Sequence, residues 1–410
     1  MKQLKKSITL VLLLFALTGN AQNPFLDNYI SVALENNFGI QAQNQNIQAV
    51  ASEKEIIKGE ATSNLDVMYG YGVSPIETRN GPIDHKVSAG IMLPWFGTRA
   101  KQYDVVNHKV EKAEQQKHQT ENTVKYTVRA LYFQMLQNQK DLGSARYNFE
   151  ILKSFESIAL TQYENAKGSL VDVLRVQMQI EEAQNKINAL IADSTLFNQQ
   201  FGLVLNHPTK KIELSDQLIF NPDSTSLGNN PLLLELEANQ KVVNAEIQSV
   251  AKEASPKIKI ALDYSIIGNT QMQSDNAGNN AVMPMIGLSI PVFNAKKYNG
   301  RKEQLVLNNQ SIKLQKQELQ NALQSEYLKA QNQREDAKRD INLIDQQIAK
   351  VDQAIKIQRE IYTVGQNTQG SAFIELLRLQ MQRLEYQFKI HKAEQSKNDA
   401  LAKIDFLQGV

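Results

Sequence analysis

Two long stretches without helix-breaking residues constrain the fold more than any other feature of this sequence. Residues 99–167 contain no proline and a single glycine, Gly143, and residues 301–364 contain neither residue type. Because an α-helix rises 1.5 Å per residue, each stretch predicts a helix on the order of 100 Å long. Apolar residues recur at spacings of three, four and seven from Leu305 to Ile355, with Gln, Asn, Lys and Glu between them. The pattern predicts coiled-coil packing with one face in water.

The long helices must reverse, and the sequence repeats one phrase at both reversals. It reads GSLVDVLRVQMQ at 168–179 and GSAFIELLRLQMQ at 370–382. Glycine and serine favour a turn, and Ser169 and Ser371 are expected to cap the N-termini of the returning helices. The sequence therefore predicts a helical hairpin at the end of each long helix.

The repeated phrase belongs to a larger internal similarity. LPWFGTRAKQ at 93–102 matches IPVFNAKKYNGRKEQ at 290–304, and Asn46, Tyr71 and Glu60 have counterparts at one constant offset in the second half. The period is about 200 residues, far longer than a solenoid repeat. We predict a duplicated domain half.

Four runs alternate strictly between apolar and other residues, which predicts strands with one apolar face. The runs are about as long as tilted membrane strands, and their other face is small and polar. Two soluble hairpins packed on a core are the alternative. The segments 74–84 and 269–280 are predicted to be polar loops. The predicted strands cover 65–73, 86–94, 256–267 and 282–293.

The N-terminus has the pattern of a secretory signal peptide. Lys2, Lys5 and Lys6 precede a short apolar run, and small residues follow at Gly19 and Ala21. We expect cleavage after Ala21. The predicted organisation is a signal peptide (1–21), a first repeat (22–203) with helices at about 97–166 and 170–203, a linker (204–230), and a second repeat (231–410) with helices at about 298–364 and 372–406.

Four membrane strands cannot close a barrel within one chain. An open edge in hydrocarbon leaves backbone N–H and C=O groups unpaired, at several kcal/mol each. About eight strands are the practical minimum for closure. The chain must therefore oligomerise, and a trimer of twelve strands leaves more room for a channel than a dimer of eight.

Composition and motifs argue against most other classes of function. The chain has no cysteine, and its formal net charge of +2 gives no basic footprint for nucleic acid. The five histidines are scattered without metal-ligand spacing, and no phosphate-binding or nucleophile motif is present. We expect no enzyme activity, no cofactor and no resident metal.

These motifs resemble the outer-membrane factors of Gram-negative bacteria, the TolC-like efflux and secretion channels. The resemblance lies in PWFGTRAKQ and PVFNAKKYNGRKEQ, in the two Gly-Ser hairpins and in the duplication, and it covers about 22–408. It implies a mainly α-helical homotrimer. A twelve-stranded barrel in the outer membrane, with four strands per chain, would continue into a long periplasmic helical barrel.

The resemblance also implies the function and the partners. The chain would be the exit duct of a tripartite efflux system, passively conducting substrates from a periplasmic adaptor and an inner-membrane pump driven by protons or ATP. A type I protein secretion channel is the alternative within this class. A periplasmic coiled-coil scaffold without a pore is the alternative from another class.

The resemblance places two groups of functional residues at the hairpins. One group would dock the adaptor, and the other would close the periplasmic end of the channel. Two charged pairs of the second group are three residues apart and can instead pair within one helix. The predicted docking residues are Gly168, Ser169, Leu170, Gly370, Ser371 and Ala372, and the predicted gate residues are Tyr163, Asp172, Arg175, Tyr362, Glu375 and Arg378.

Overall fold

The computed structural model describes most of the chain outside its N-terminus. The predicted signal peptide lies outside the described residues, as do parts of the predicted linker 204–230 and of the predicted loop 269–280. The described residues are 24–60, 64–207, 212–215, 226–268, 278–364 and 369–410.

Seven α-helices lie within these described residues, and two of them are very long. The long helices contain 67 and 70 residues, close to the predicted limits. The last helix begins at Gln369, three residues before the predicted start, so Ser371 lies inside its first turn rather than at its N-cap. The helices are α1 (Pro24–Asn36), α2 (Phe38–Glu60), α3 (Thr98–Glu164), α4 (Leu170–Leu205), α5 (Pro231–Glu253), α6 (Ala295–Val364) and α7 (Gln369–Gln408).

The four predicted strands form one antiparallel sheet in the order β1-β2-β3-β4. The central pair, β2 with β3, joins the two halves of the sequence, with Gly90 opposite Ala261. β1 and β4 are the edge strands of the sheet within this chain. The strands are β1 (Leu65–Thr78), β2 (Gly81–Leu93), β3 (Lys257–Ile267) and β4 (Ala281–Ser289).

The end of β1, the start of β2 and the end of β4 differ from the prediction. The expected loop at 74–84 is wrong, because pairing continues to Thr78 opposite Gly81 and leaves a two-residue turn. Asn80 ends this turn and Gly81 begins β2, where glycine suits the close return of the chain because it adopts positive φ freely and Gly81 has φ 127°. β4 ends at Ser289, before the predicted limit, because Pro291 has no N–H to donate to a ladder.

The chain divides into two compact units. The sheet unit comprises Gln41–Gln119 and Pro231–Asn321. Its helical segments share a core in which Val243 and Val250 of α5 pack with Leu305 and Ile312 of α6. Each pair is seven residues apart, which puts both members on one face of their helix.

The helical unit comprises 24–40, Thr120–Asn230 and Ala322–Val410, apart from the undescribed residues. One core surrounds Tyr132, Phe133 and Phe201, and the Tyr132 hydroxyl accepts a hydrogen bond from the Ser215 backbone N–H at 2.7 Å.

A second core of the helical unit takes residues from α3, α4, α6 and α7 near their hairpin ends. We call it the hairpin core. Its buried members are Leu152, Phe155, Ala159, Val173, Val176, Ile180, Val351, Ile355, Phe373, Leu376, Leu377 and Leu379.

Candidate functional site

One face of the sheet is apolar and exposed. Val67 is 62% exposed, Val73 90% and Ile286 83%, and the same face continues across β3. Soluble monomers seldom expose contiguous apolar patches of this kind, which mark sites for a membrane or a partner protein. The face also contains Leu65, Tyr69, Tyr71, Ile260, Leu262, Tyr264, Ile266, Val282 and Leu288.

The opposite face of the sheet carries polar and small residues together with methionines, of which Met68 is 56% exposed and Met283 50%. Lys86 of β2 forms a salt bridge with Asp263 of β3, whose side chain is 1% exposed. Nearby, a Cβ added at Gly90 would lie 2.9 Å from the Ala261 Cβ, so a larger residue there would force the two strands apart.

The first hairpin follows Glu164, the last residue of α3, and its backbone bonds form a Schellman motif. The Lys167 N–H donates to the Gln162 carbonyl at 2.8 Å, and the Ala166 N–H donates to the Tyr163 carbonyl at 3.0 Å. Ala166 itself is left-handed, with φ 58°. That conformation is unfavourable for alanine by about 1–2 kcal/mol.

Three of the predicted docking residues complete this first hairpin. A Cβ on Gly168 would lie 2.9 Å from the Gln162 Cβ, so the close return of the chain requires glycine there. Ser169 caps α4 as predicted, because its side chain accepts a hydrogen bond from the Val171 N–H at 3.1 Å. Leu170 begins α4 and is 48% exposed.

The other three predicted docking residues lie in the first turn of α7. Residues 365–368, which connect α6 with α7, lie outside the described residues. Ala372 is buried, and its carbonyl accepts a hydrogen bond from the Gln358 side chain at 3.0 Å. Arg383 and Asp352 form a second link between the same helices, at 2.6 Å.

The charged residues of the predicted gate pair within their own helices. Arg175 lies 3.8 Å from buried Asp172, and Arg378 makes two bonds to Glu375 at 2.6 and 2.9 Å. Hydrogen bonding to Arg378 lowers the pKa of Glu375 below its usual value, so this carboxylate stays ionised at neutral pH. Within one chain, the spacing of three residues therefore produces the intrahelical pairs that the sequence analysis gave as the alternative to a gate.

The two tyrosines of the predicted gate have different surroundings. Tyr163 is 45% exposed at the end of α3. The ring of Tyr362 on α6 packs against Phe373 of α7, with centroids 5.7 Å apart. Burial, with a smaller effect from Asp172, raises the pKa of the Tyr362 hydroxyl, so this group stays protonated at neutral pH.

Two other functional signals are absent from the described residues. No helix in the described part of the chain is long and apolar enough to cross a membrane. Among the described residues, no cluster of three or more His, Asp or Glu side chains could hold a metal ion.

Comparison with proteins of known structure identifies the fold. No protein-family model matches the sequence, and no curated protein matches it. Solved structures do match. CusC, whose transmembrane channel formation has been described, superimposes with a TM-score of 0.75 at 15% identity, over 96% of this chain and 95% of that chain.

Two further channels superimpose over nearly the whole chain. The outer-membrane channel OprN gives a TM-score of 0.74 at 16% identity, over 94% of this chain and 90% of that chain. The Neisseria gonorrhoeae outer-membrane channel MtrE gives 0.70 at 14%, over 94% and 89%.

The chain has the fold of the TolC-like outer-membrane factors. The resemblance read from the sequence is thereby confirmed for the fold.

Three features of this outer-membrane-factor fold were not found from the sequence. The left-handed Ala166 carries no sequence signal, because glycine is the usual residue at that position. The Lys86–Asp263 pair depends on the register between β2 and β3. The bond from Gln358 to Ala372 depends on how α6 and α7 pack.

Proposed function

We propose that this protein is an outer-membrane channel and serves as the passive exit duct of a tripartite efflux system. The observation that carries the proposal is the four-stranded sheet with one exposed apolar face. In water that face would be a severe aggregation hazard. In a bilayer it would be the lipid-facing surface of a barrel wall.

The edges of the sheet require contacts with neighbouring copies. Within the described chain, β1 and β4 each pair on one side only, and an unpaired edge is not tolerated in hydrocarbon. Neighbouring copies must supply the missing pairs. Three copies of four strands make a twelve-stranded barrel, which is wide enough for a water-filled lumen.

The polar face would line that lumen. Its Lys86–Asp263 pair and its small residues suit contact with water rather than with lipid. A lumen of this kind needs no catalytic group, and the energy for transport would come from the partner pump. We therefore propose a conduit without enzyme activity, cofactor or resident metal.

The hairpins would point into the periplasm and meet the adaptor. The hairpin core packs the ends of all four helices within one chain, so the exposed turn around Leu170 would be a defined surface for a partner. The adaptor would couple it to an inner-membrane pump driven by protons or ATP. Closure of this end by the predicted gate residues remains part of the proposal.

Purification and conductance measurements test the channel. The full chain should remain with the outer membrane after salt washing, have the mass of a trimer in detergent by native mass spectrometry, and conduct ions in planar bilayers. A stable monomer in detergent-free buffer would refute the proposal and favour the coiled-coil scaffold.

A pair of matched variants on α4 tests the docking surface. Leu170 and Leu196 are both 48% exposed, and only Leu170 lies at the hairpin. Leu170→Glu should abolish dye export in the source bacterium while the trimer content stays normal. Leu196→Glu is the control and should export normally. Normal export by Leu170→Glu would remove the hairpin from the docking site.

Charge removal tests the gate separately. Arg378→Ala breaks the two bonds to Glu375 and should increase the conductance of the purified channel in planar bilayers. An unchanged conductance would mean that the pair only supports its own helix.

A further inference from the structure

A cavity of about 750 Å³ lies in the helical unit beside the first hairpin. Side chains from α3, α6 and α7 line it, so it is formed within one chain. Its volume falls in the range of cavities that hold small organic ligands, about 300–1,000 Å³. Tyr362, a predicted gate residue, lines this cavity, but the gate role described above assigns the cavity no ligand.

The wall of the cavity is aromatic and well packed. Phe155 is 5% exposed and Phe373 is 4% exposed, and their rings meet at 61° with centroids 6.0 Å apart. Tyr362 packs on Phe373 from α6. These buried rings fix the more accessible lining side chains, Ile158 at 39% exposed and half-buried Tyr362, which present an apolar surface to a flat ring or a short hydrocarbon.

The charged groups that line the cavity are both cations. Lys167 and Arg359 are both exposed, and neither forms a salt bridge among the described residues. No Asp or Glu lines the cavity. Asp172, which is outside the lining, has an electrostatic effect on the Tyr362 hydroxyl, and this carboxylate lies 3.8 Å from Arg175. An anionic group at the rim would therefore meet two cations.

One buried acceptor of the cavity also lacks a partner. The Oε1 atom of Gln162 is buried without a hydrogen bond, although the backbone carbonyl of the same residue accepts two bonds from the hairpin. A buried polar atom left unpaired costs about 1–3 kcal/mol. Because this atom has almost no accessible surface, it lies behind the cavity wall and is not a contact for a ligand.

We propose that this cavity binds a small amphipathic organic anion. Its ring packs on Ile158 and Tyr362, and its carboxylate or sulfonate lies between Lys167 and Arg359. Binding would link α3 to α6 and α7 next to the hairpin. The proposal concerns a site within one chain and does not depend on channel function.

The test uses two probes that differ in charge. Indole-3-acetate has an aromatic ring, an N–H and a carboxylate, and indole-3-acetamide is its neutral counterpart. Equilibrium dialysis measures both against the full chain in a non-ionic detergent, with detergent alone as the blank. We expect saturable binding of one indole-3-acetate per chain, about tenfold tighter than the amide and weakened by salt.

Three variants assign this binding to the cavity. Lys167→Gln with Arg359→Gln should weaken binding of the acetate about tenfold and leave the amide unchanged. Lys350→Gln with Lys356→Gln removes two exposed cations elsewhere on α6 and should change neither. Ser154→Trp fills the cavity from an exposed position and should abolish binding of both probes.

Four experimental results would each contradict binding at this cavity. Equal binding of the two probes, an unaffected Lys167→Gln/Arg359→Gln variant, or binding that survives Ser154→Trp would each overturn the proposal. Absence of saturable binding by the unaltered protein would overturn it as well. Any of these outcomes leaves the proposed channel function untouched, because that is measured by trimer mass and conductance.

Discussion

The sheet and the hairpin core distribute apolar side chains in opposite ways. On the sheet, Val73 is 90% exposed while Asp263 is 1% exposed. In the hairpin core, Leu152 and Val176 are fully buried, while the charged side chain of Arg378 is 69% exposed. The helices thus follow the pattern of a protein in water, whereas the sheet follows that of a barrel wall in lipid.

The difference shows which region each chain can stabilise by itself. The hairpin core takes its buried side chains from four helices of one chain, so its packing energy is available within the subunit. The apolar face of the sheet has no such cover, and its stabilisation must come from outside the chain. The following variants test this contrast, beginning with the largest expected effect.

Reversing the polarity of the apolar sheet face, which the proposed channel turns towards lipid, should have the largest effect. Val67→Arg puts a charge on the apolar face, at about 2–4 kcal/mol per chain near the bilayer centre, and should prevent assembly in the membrane. Asp66→Arg, one residue earlier and on the other face, should assemble. Heat-resistant trimer recovered from outer membranes is the measurement, and equal recovery of both variants would contradict the assignment of faces.

The same truncation should have unequal effects in the two regions. Leu152→Ala opens a cavity in the hairpin core and should lower the free energy of unfolding by about 2–5 kcal/mol. Leu288→Ala on the sheet, where the leucine is 59% exposed, should change it by less than about 1 kcal/mol in detergent. Thermal unfolding of the two purified variants measures the difference, and equal losses would show that the sheet face is covered.

Buried carboxylates should also respond differently. Burial raises the pKa of Asp399 in α7 to about 6, and its Oδ1 atom is buried without a hydrogen bond. Because Asp399 binds its proton more tightly in the folded state than in the unfolded chain, protonation of this carboxyl favours folding. This contribution to the free energy of unfolding is fully present below about pH 4 and is lost as the pH rises through 6. Asp399→Asn should therefore stabilise the protein at pH 8, by about 2–3 kcal/mol, and have no effect near pH 3.5.

The sheet supplies the control for that experiment. Asp263 is also buried, but it is paired with Lys86, so Asp263→Asn should bring no gain at pH 8. Unfolding midpoints measured between pH 3.5 and 8 compare the two variants. A gain at pH 8 for Asp263→Asn, or none for Asp399→Asn, would mean that the two carboxylates have similar environments.

The smallest expected effect concerns the first hairpin. Ala166→Gly relieves a left-handed alanine and should stabilise the helical unit by about 1 kcal/mol. Gly168→Ala in the same turn should destabilise it, because the new Cβ would lie 2.9 Å from the Gln162 Cβ. Thermal unfolding again measures both, and shifts of the same sign would mean that the turn geometry is wrong.

Features with a fixed period could be predicted from the sequence. Side chains of a strand alternate between faces, so Leu65, Val67 and Val73 had to share one side. The helical period of 3.6 likewise brought Glu375 next to Arg378. Local patterns of this kind require no knowledge of the rest of the fold.

Features that depend on pairing between distant segments could not be predicted. The polarity of 74–84 suggested a loop, although the backbone pairs through Thr78 and Gly81. The partner of Asp263 follows only from the register of β2 against β3, which are far apart in sequence. The cavity beside the first hairpin likewise depends on how α3, α6, α7 and the hairpin turn pack, and the sequence does not specify their mutual positions.

The two edge strands have a genetic consequence. If every subunit supplies one edge to each neighbour, a single defective β1 or β4 interrupts the whole wall. A ring that contains one altered copy would then fail to close, so a minority of altered copies would inactivate most of the normal ones. A mutation in either strand should behave as dominant when both alleles are expressed in one cell.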